Sequence, residues 1–254
     1  MIEILKGFTP VFISLSLVVV AGIISRFLKL GIGWELAVNT VRAFGQLLAI
    51  GYLLEYIFSI DNIFLFFLVI TVMAIVGGAT ARSRAPSIPG GFILSTFSIL
   101  CAAFASIGLM LLIGVITPEP QYIIPLGGMV VGTSMNGSAL GMERLYREMK
   151  SNRDRVELAL CFGATSHTAS IGIVRQSIRA GMIPSMNLMK VIGLVQLPGA
   201  MTGMILAGAS PIEAVKIQII VAYMIISGVS ISTSISVLLA RQRFFNKRHQ
   251  LVLN

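Results

Sequence analysis

Seven apolar stretches dominate this sequence, each close to the roughly 20 helical residues needed to cross a hydrocarbon layer of about 30 Å. They lie near residues 8–25, 34–58, 63–81, 92–116, 122–142, 186–208 and 217–240. Backbone N–H and C=O groups in lipid must be satisfied internally, and continuous apolar runs do this as helices. The expected fold is therefore all-α: a polytopic membrane protein with about seven transmembrane helices. Composition agrees, since 56% of the 254 residues are hydrophobic and only 11% are charged, too few to cover a soluble surface. Residues 1–254 read as a single integral membrane domain. The first run reads as a retained span, because its apolar core is too long for a signal peptide and Glu3 and Lys6 make a poor basic leader.

The net charge of +9 is explained by topology rather than by nucleic acid. Arg26 and Lys29 follow the first run, and Arg82 and Arg84 the third. Arg144, Arg147, Lys150, Arg153, Arg155, Arg175 and Arg179 follow the fifth, and Arg241, Arg243, Lys247 and Arg248 the last. The alternate connections hold Lys6 and Lys216 beside Glu3, Asp61, Glu119 and Glu213. The positive-inside bias then puts the N-terminus outside and the C-terminus in the cytoplasm. The basic, aromatic tail from Arg241 to His249 reads as an anchor on anionic membrane lipids.

One long polar segment, about 143–185, interrupts this pattern on the cytoplasmic side. The fifth helix is expected to run from Tyr122 to about Lys150, supported beyond the membrane by Glu143–Arg147 and Arg144–Glu148 at i,i+4. Ser151-Asn-Arg-Asp154 has capping-box spacing, and the short helix after it should stop at Gly163. Thr165 can cap a second helix, expected to end near Gly181 with Pro184 beyond. Ile171, Val174 and Ile178 form an apolar stripe on it. The bland alternative is an amphipathic pair lying on the lipid surface.

Small residues mark close helix approaches: Gly128/Gly132 and Gly137/Gly141 in the fifth run, Gly199/Gly203 in the sixth. Ser227, Ser230 and Ser234 share one face of the seventh. Arg42 is the sharpest intramembrane signal, with Gln46 one turn along the same face. A charge there is costly unless it is paired, hydrated or snorkelled to the surface, which makes it a functional candidate. Asn136, beside Met135, needs a partner at membrane depth. Gln196 and Pro198 interrupt the sixth run, where a proline can free carbonyls toward a cavity or simply kink a helix.

Several chemistries lack their residues. Met129, Met135, Met142, Met201 and Met204 offer thioethers, yet methionine is an ordinary filler of membrane cores, and no metal site is assigned. His167 and His249 stand without a ligand cluster, and no His falls inside a span to serve as base for a serine hydrolase. Cys101 and Cys161 make neither a disulfide nor a redox motif. No Gly-x-x-x-x-Gly-Lys-Ser/Thr loop is present, so the chain binds no ATP of its own by that motif and is not read as an enzyme.

Several ordered motifs now point one way: Val41-Arg42-Ala43 with Gln46-Leu47, and Leu160-x-x-Gly163-Ala164-Thr165. Ser177-Ile178-Arg179-Ala180 with Ile183-Pro184 follows, then the stretch from Val191 to Pro198-Gly199. Met201-Thr202-Gly203 and Arg248-His249-Gln250-Leu251 complete the set. Over nearly its whole length the chain resembles the FetB-like permeases of ABC transporters, which include bacterial iron exporters and plant aluminium-tolerance membrane subunits. Glu157-x-Ala159-x-x-x-Gly163 also resembles the coupling loop of ABC permeases. Leu158 stands there for the usual Ala, Arg175-Gln176 for Leu-Pro, and Gln196 replaces the family's Ser.

The resemblance implies a permease subunit of an ATP-driven exporter of iron or another metal. A separate ATPase chain would bring ATP and magnesium, and two permease copies would form a homodimer. Glu157, Ala159, Gly163, Ala164 and Thr165 would couple to the ATPase. Arg42, Gln46, Met135, Asn136, Gln196, Pro198 and Met201 are candidates for the translocation path. The alternatives are a proton-coupled secondary transporter using Arg42, or a non-transporting scaffold or sensor.

Overall fold

The computed structural model describes residues 9–58, 60, 63–246 and 249–252. Glu3, Lys6, Phe8, Asp61, Lys247 and Arg248 lie outside the described residues. Among the described residues every regular element is a helix, and six helices are long and apolar enough to cross a membrane. The chain divides into two compact units, residues 1–60 and 61–254.

The first unit is a helical hairpin. Helix α1 (Thr9–Phe27) and α2 (Gly33–Phe58) touch through Phe12 and Phe44, whose ring centroids lie 6.3 Å apart. Both are apolar almost all round, and most of their side chains are exposed. That is the behaviour of helices solvated by lipid.

The second unit holds α3 (Ile63–Arg84), α4 (Gly91–Leu112), α5 (Pro120–Ser151), α6 (Arg153–Cys161), α7 (Ser166–Val191), α8 (Gly199–Leu206) and α9 (Pro211–Gln242). Helices α5 and α9 form its axis: α5 packs on α3, α4, α7 and α9, and α9 on α4, α5, α7 and α8. Their contact is made by small residues. A Cβ placed on Gly137 would stand 2.6 Å from Thr233 Oγ1, and one on Gly141 2.8 Å from Val237 Cγ2. Helix α7 closes the same seam, since a Cβ on Gly181 would meet the Gly137 carbonyl oxygen at 2.5 Å. Close backbone approach is how helices associate where lipid removes the hydrophobic drive between them.

The Gly137/Gly141 pair is thus a packing seam, as its spacing predicts. At Gly132, Gly199 and Gly203 a Cβ would meet nothing within 4 Å, whereas one on Gly128 would meet Met73 Cε of α3 at 3.2 Å; the sixth-run pair closes no seam with the described residues. On α9 the buried small face is Gly228, Ser232, Thr233 and Ser236. Ser227, Ser230 and Ser234 lie on the more open side.

The polar segment differs from expectation in two ways, and its second helix does not follow the bland alternative. Helix α7 does not end near Gly181 but continues through Pro184 to Val191. Its buried stripe of Ser170, Val174, Ser177, Gly181 and Ser185 runs past the proline, and packing along it outweighs one lost hydrogen bond. It therefore packs on α5 and α9 instead of lying flat on lipid. The capping box at Ser151 does not form: Asn152 takes the N-cap position of α6, and its amide donates back to Glu148.

The apolar window 186–208 is not one span. It holds the end of α7, a turn over 192–198 and the short α8, so among the described residues six unbroken helices are long and apolar enough to cross a membrane, and the seventh apolar window is interrupted. Gly193 at φ +82° and Pro198, which lacks an N–H, break the helix between them.

Candidate functional site

Two places in the second unit gather sequence-predicted residues, and α7 joins them. The first is the break. After Val191 the chain folds into a tight turn in which the Val191 carbonyl accepts from Leu194, Val195 and Gln196, and Gly193 donates to Gln196. No backbone N–H among the described residues is bonded to the carbonyls of Ile192, Gly193, Leu194 or Val195. Leu194 and Val195 are 89% and 82% exposed. Non-helical backbone at membrane depth is tolerated where protein covers it or where it lines a cavity.

A cleft of about 380 Å³ opens beside this turn, between the end of α7, α8 and the first turns of α9. Pro198 and Met201 line it, as do Met189, Gln218 and Tyr223. Gln196 belongs to the turn but not to the lining. Gln218, 8% exposed, has no hydrogen-bond partner for its buried Oε1 among the described residues. Sequence reading passed over this residue, although a lone amide in an apolar window carries the same signal as Asn136.

The second place is the corner between α6 and α7. Ala164 donates to the Ala159 carbonyl and Gly163 to Leu160, both at 3.0 Å, with Gly163 at φ +85°. This is a Schellman ending, and its left-handed position is why glycine stands there. The Thr165 hydroxyl then accepts from the Thr168 N–H at 3.2 Å and starts α7. Glu157 is held by Arg153 at 2.8 Å, and that hydrogen bond with its Coulombic attraction raises the Arg153 guanidinium above its ordinary value. Phe162 stands 83% exposed at the corner.

The tail builds one wall of this corner. Phe244 is 3% exposed, in a cluster with Met149, Val174 and Ala240, and Val252 N–H donates to its carbonyl at 2.8 Å. His249 Nδ1 lies 3.1 Å from Ser166 Oγ. A cleft of about 400 Å³ results, lined by Glu157, Leu160, Cys161, Ala164 and, from the tail, His249, Gln250 and Leu251. The described part of the tail folds onto the protein, with Phe244 buried and Phe245 and Leu251 partly buried against the same cluster.

The remaining candidates are dispersed. Met135 packs against Gly77 of α3. Asn136 is exposed on α5 and makes no hydrogen bond to the described residues. Arg42 and Gln46 are exposed on α2 in the first unit. No group of three His, Cys, Asp or Glu able to hold a metal occurs among the described residues. Cys101 and Cys161 are free thiols.

A family model described as "Uncharacterised protein family (UPF0014)" matches residues 8–245. The chain belongs to the UPF0014 family. It is a multi-pass membrane protein, with six helices among its described residues long and apolar enough to cross a membrane. Within UPF0014 it is 37% identical over 241 residues to the "Probable iron export permease protein FetB" of Escherichia coli K12, covering 95% of this chain and 93% of that one. It is 36% identical over 251 residues to "Protein ALUMINUM SENSITIVE 3" of Arabidopsis thaliana, covering 99% and 92%. The "UPF0014 membrane protein STAR2" of rice is 35% identical over 249 residues, covering 98% and 87%. No solved structure matches this UPF0014 chain.

Proposed function

We propose that this chain is the membrane-spanning permease subunit of an ATP-driven ABC transporter, working as a homodimer with a separate ATPase chain. The observation that carries the reading is α7. It starts at the capped corner beside Gly163 and runs without a break to Val191, where the helix opens at the cleft. Its 26 residues span about 39 Å, so one rod links a polar docking corner to a cleft at membrane depth. Displacement of the corner by ATP-driven closure of the partner would shift access at the cleft, provided the partner binds ATP differently in the two states.

Glu157, Ala159, Gly163, Ala164 and Thr165 form the docking corner in this reading, and Gln196, Pro198 and Met201 border the path. Exposed Asn136, at membrane depth, supports a second copy against α5, because an amide left in hydrocarbon is costly. Iron, or another metal, is the proposed cargo by likeness to the Escherichia coli relative's name. Affinity purification from native membranes tests the proposal. Recovery of an ATPase with the wild type, and its loss or uncoupling with Gly163→Val, is the expected result. A chain that purifies without any ATPase overturns it.

A further inference from the structure

The cleft at the helix break has a chemistry of its own, which the docking corner does not explain. Its walls are Met189, Ile192, Leu197, Pro198, Val215, Ile219 and their neighbours, without a charged side chain. One amide stands in this apolar wall. Gln218 is more than nine-tenths buried, and its Oε1 is sealed from solvent with no hydrogen-bond partner among the described residues. A buried amide without partners is destabilising, and such groups in native proteins generally meet a ligand or water. A volume of about 380 Å³ with mostly apolar walls and a few polar groups, here Gln218 and Tyr223, is the common form of a small-molecule site.

From this we infer that the cleft binds an uncharged, largely apolar molecule, and that the Gln218 side chain, which lines the cleft, turns its amide toward that molecule's hydrogen-bonding group. A bare hydrated cation finds neither counter-charge nor enough oxygen ligands here; a divalent ion takes about six or more oxygens. If metal crosses at this point, it does so inside a neutral organic complex. The inference rests on the permease reading only for the ligand's being cargo. The same chemistry also fits a membrane lipid or neutral alcohol held in place.

The test uses the full chain in dodecylmaltoside micelles with a diazirine-bearing hexadecanol, irradiated and mapped by peptide mass spectrometry. Label is expected on peptides holding residues 189–201 and 215–223, displaced by excess hexadecanol and unchanged by ferrous or magnesium chloride. Gln218→Leu, nearly isosteric, should cut that labelling about five-fold, the order of one lost hydrogen bond, while Gln218→Asn should retain part of it. Circular dichroism confirms that both variants are folded. Even labelling of all lipid-facing helices, equal labelling of Gln218→Leu, or displacement by ferrous ion would each overturn the inference. Organic extraction separates the two sources. A neutral lipid that co-purifies with wild type and is lost in Gln218→Leu identifies the membrane, whereas labelling without such a lipid identifies cargo. Binding is read without nucleotide, so its failure leaves the ABC reading intact, and a failed ATPase recovery leaves the ligand intact.

Discussion

The ring of Phe244, at the end of α9, lies 6.3 Å from that of Tyr146 on the protruding part of α5. That contact fastens the tail to α5. Phe244→Ala removes a nearly fully buried aromatic and should cost about 3–5 kcal/mol, read as a lowered Tm in detergent. Limited proteolysis should then cut after residue 244 far sooner than in wild type. An unchanged digestion pattern would mean the tail is held by other contacts.

Helix α7 offers a matched pair of glycines. Gly181→Ala forces a methyl against the Gly137 carbonyl and Thr233 Cγ2, and should destabilise by about 1–3 kcal/mol. Gly172, on the same helix, has nothing within 4 Å of the added atom. Gly172→Ala should therefore stabilise by up to about 1 kcal/mol through helix propensity alone. Thermal unfolding of both variants side by side checks the contrast.

Gly163→Val places a β-branched residue at φ +85°, at an expected cost of about 1–2 kcal/mol. Since nothing crowds the site, the variant should still fold and reach the membrane. On the proposed ABC-permease reading, ATP-driven transport should fall much further than protein abundance. Gly163→Asn, which tolerates the left-handed region, should recover most of the activity.

Glu157→Gln separates stability from docking. The exposed pair with Arg153 contributes little to the fold, so Tm should barely move. The raised Arg153 value makes its own share of that contribution fully present below the ordinary arginine range, and lost only at higher pH. No change in stability traceable to Arg153 is thus expected across neutral pH. If the corner docks an ATPase as proposed, recovery of that ATPase in pull-downs should, in contrast, drop in this variant.

With no ligand present, Gln218→Leu should raise Tm by the equivalent of about 1–3 kcal/mol, because an unpartnered buried amide is exchanged for an apolar group. A fall in stability would show that the amide has a partner in the membrane-embedded protein.

Much of this architecture is legible in the sequence because its signals are local. Apolar length places α3, α4, α5 and α9, while Gly163 and Thr165 mark the corner by conformational demand at single positions. What escapes reading depends on neighbours far along the chain. Pro184 looks like a stop, and only the packing of Ser177 and Gly181 on α5 and α9 carries α7 past it. The window 186–208 has the composition of a span, yet Gly193 and Pro198 together open it. The tail's charges suggest lipid, whereas the packing of Phe244, Phe245 and Leu251 on the protein is not signalled by them. Gln218 is one amide among aliphatics, and its meaning comes from the cleft that α8 builds beside it.

The seam at Gly181 also limits how α7 can travel. The residues one turn away on the same face are Ser177 and Ser185, and each carries a Cβ. Slipping α7 by a turn in either direction would put that carbon where a Cβ now falls 2.5 Å from the Gly137 oxygen. Piston motion of α7 along α5 is thereby blocked, as by a key in its keyway. Any stroke begun at the corner must swing α5, α7 and α9 together as a single rigid block.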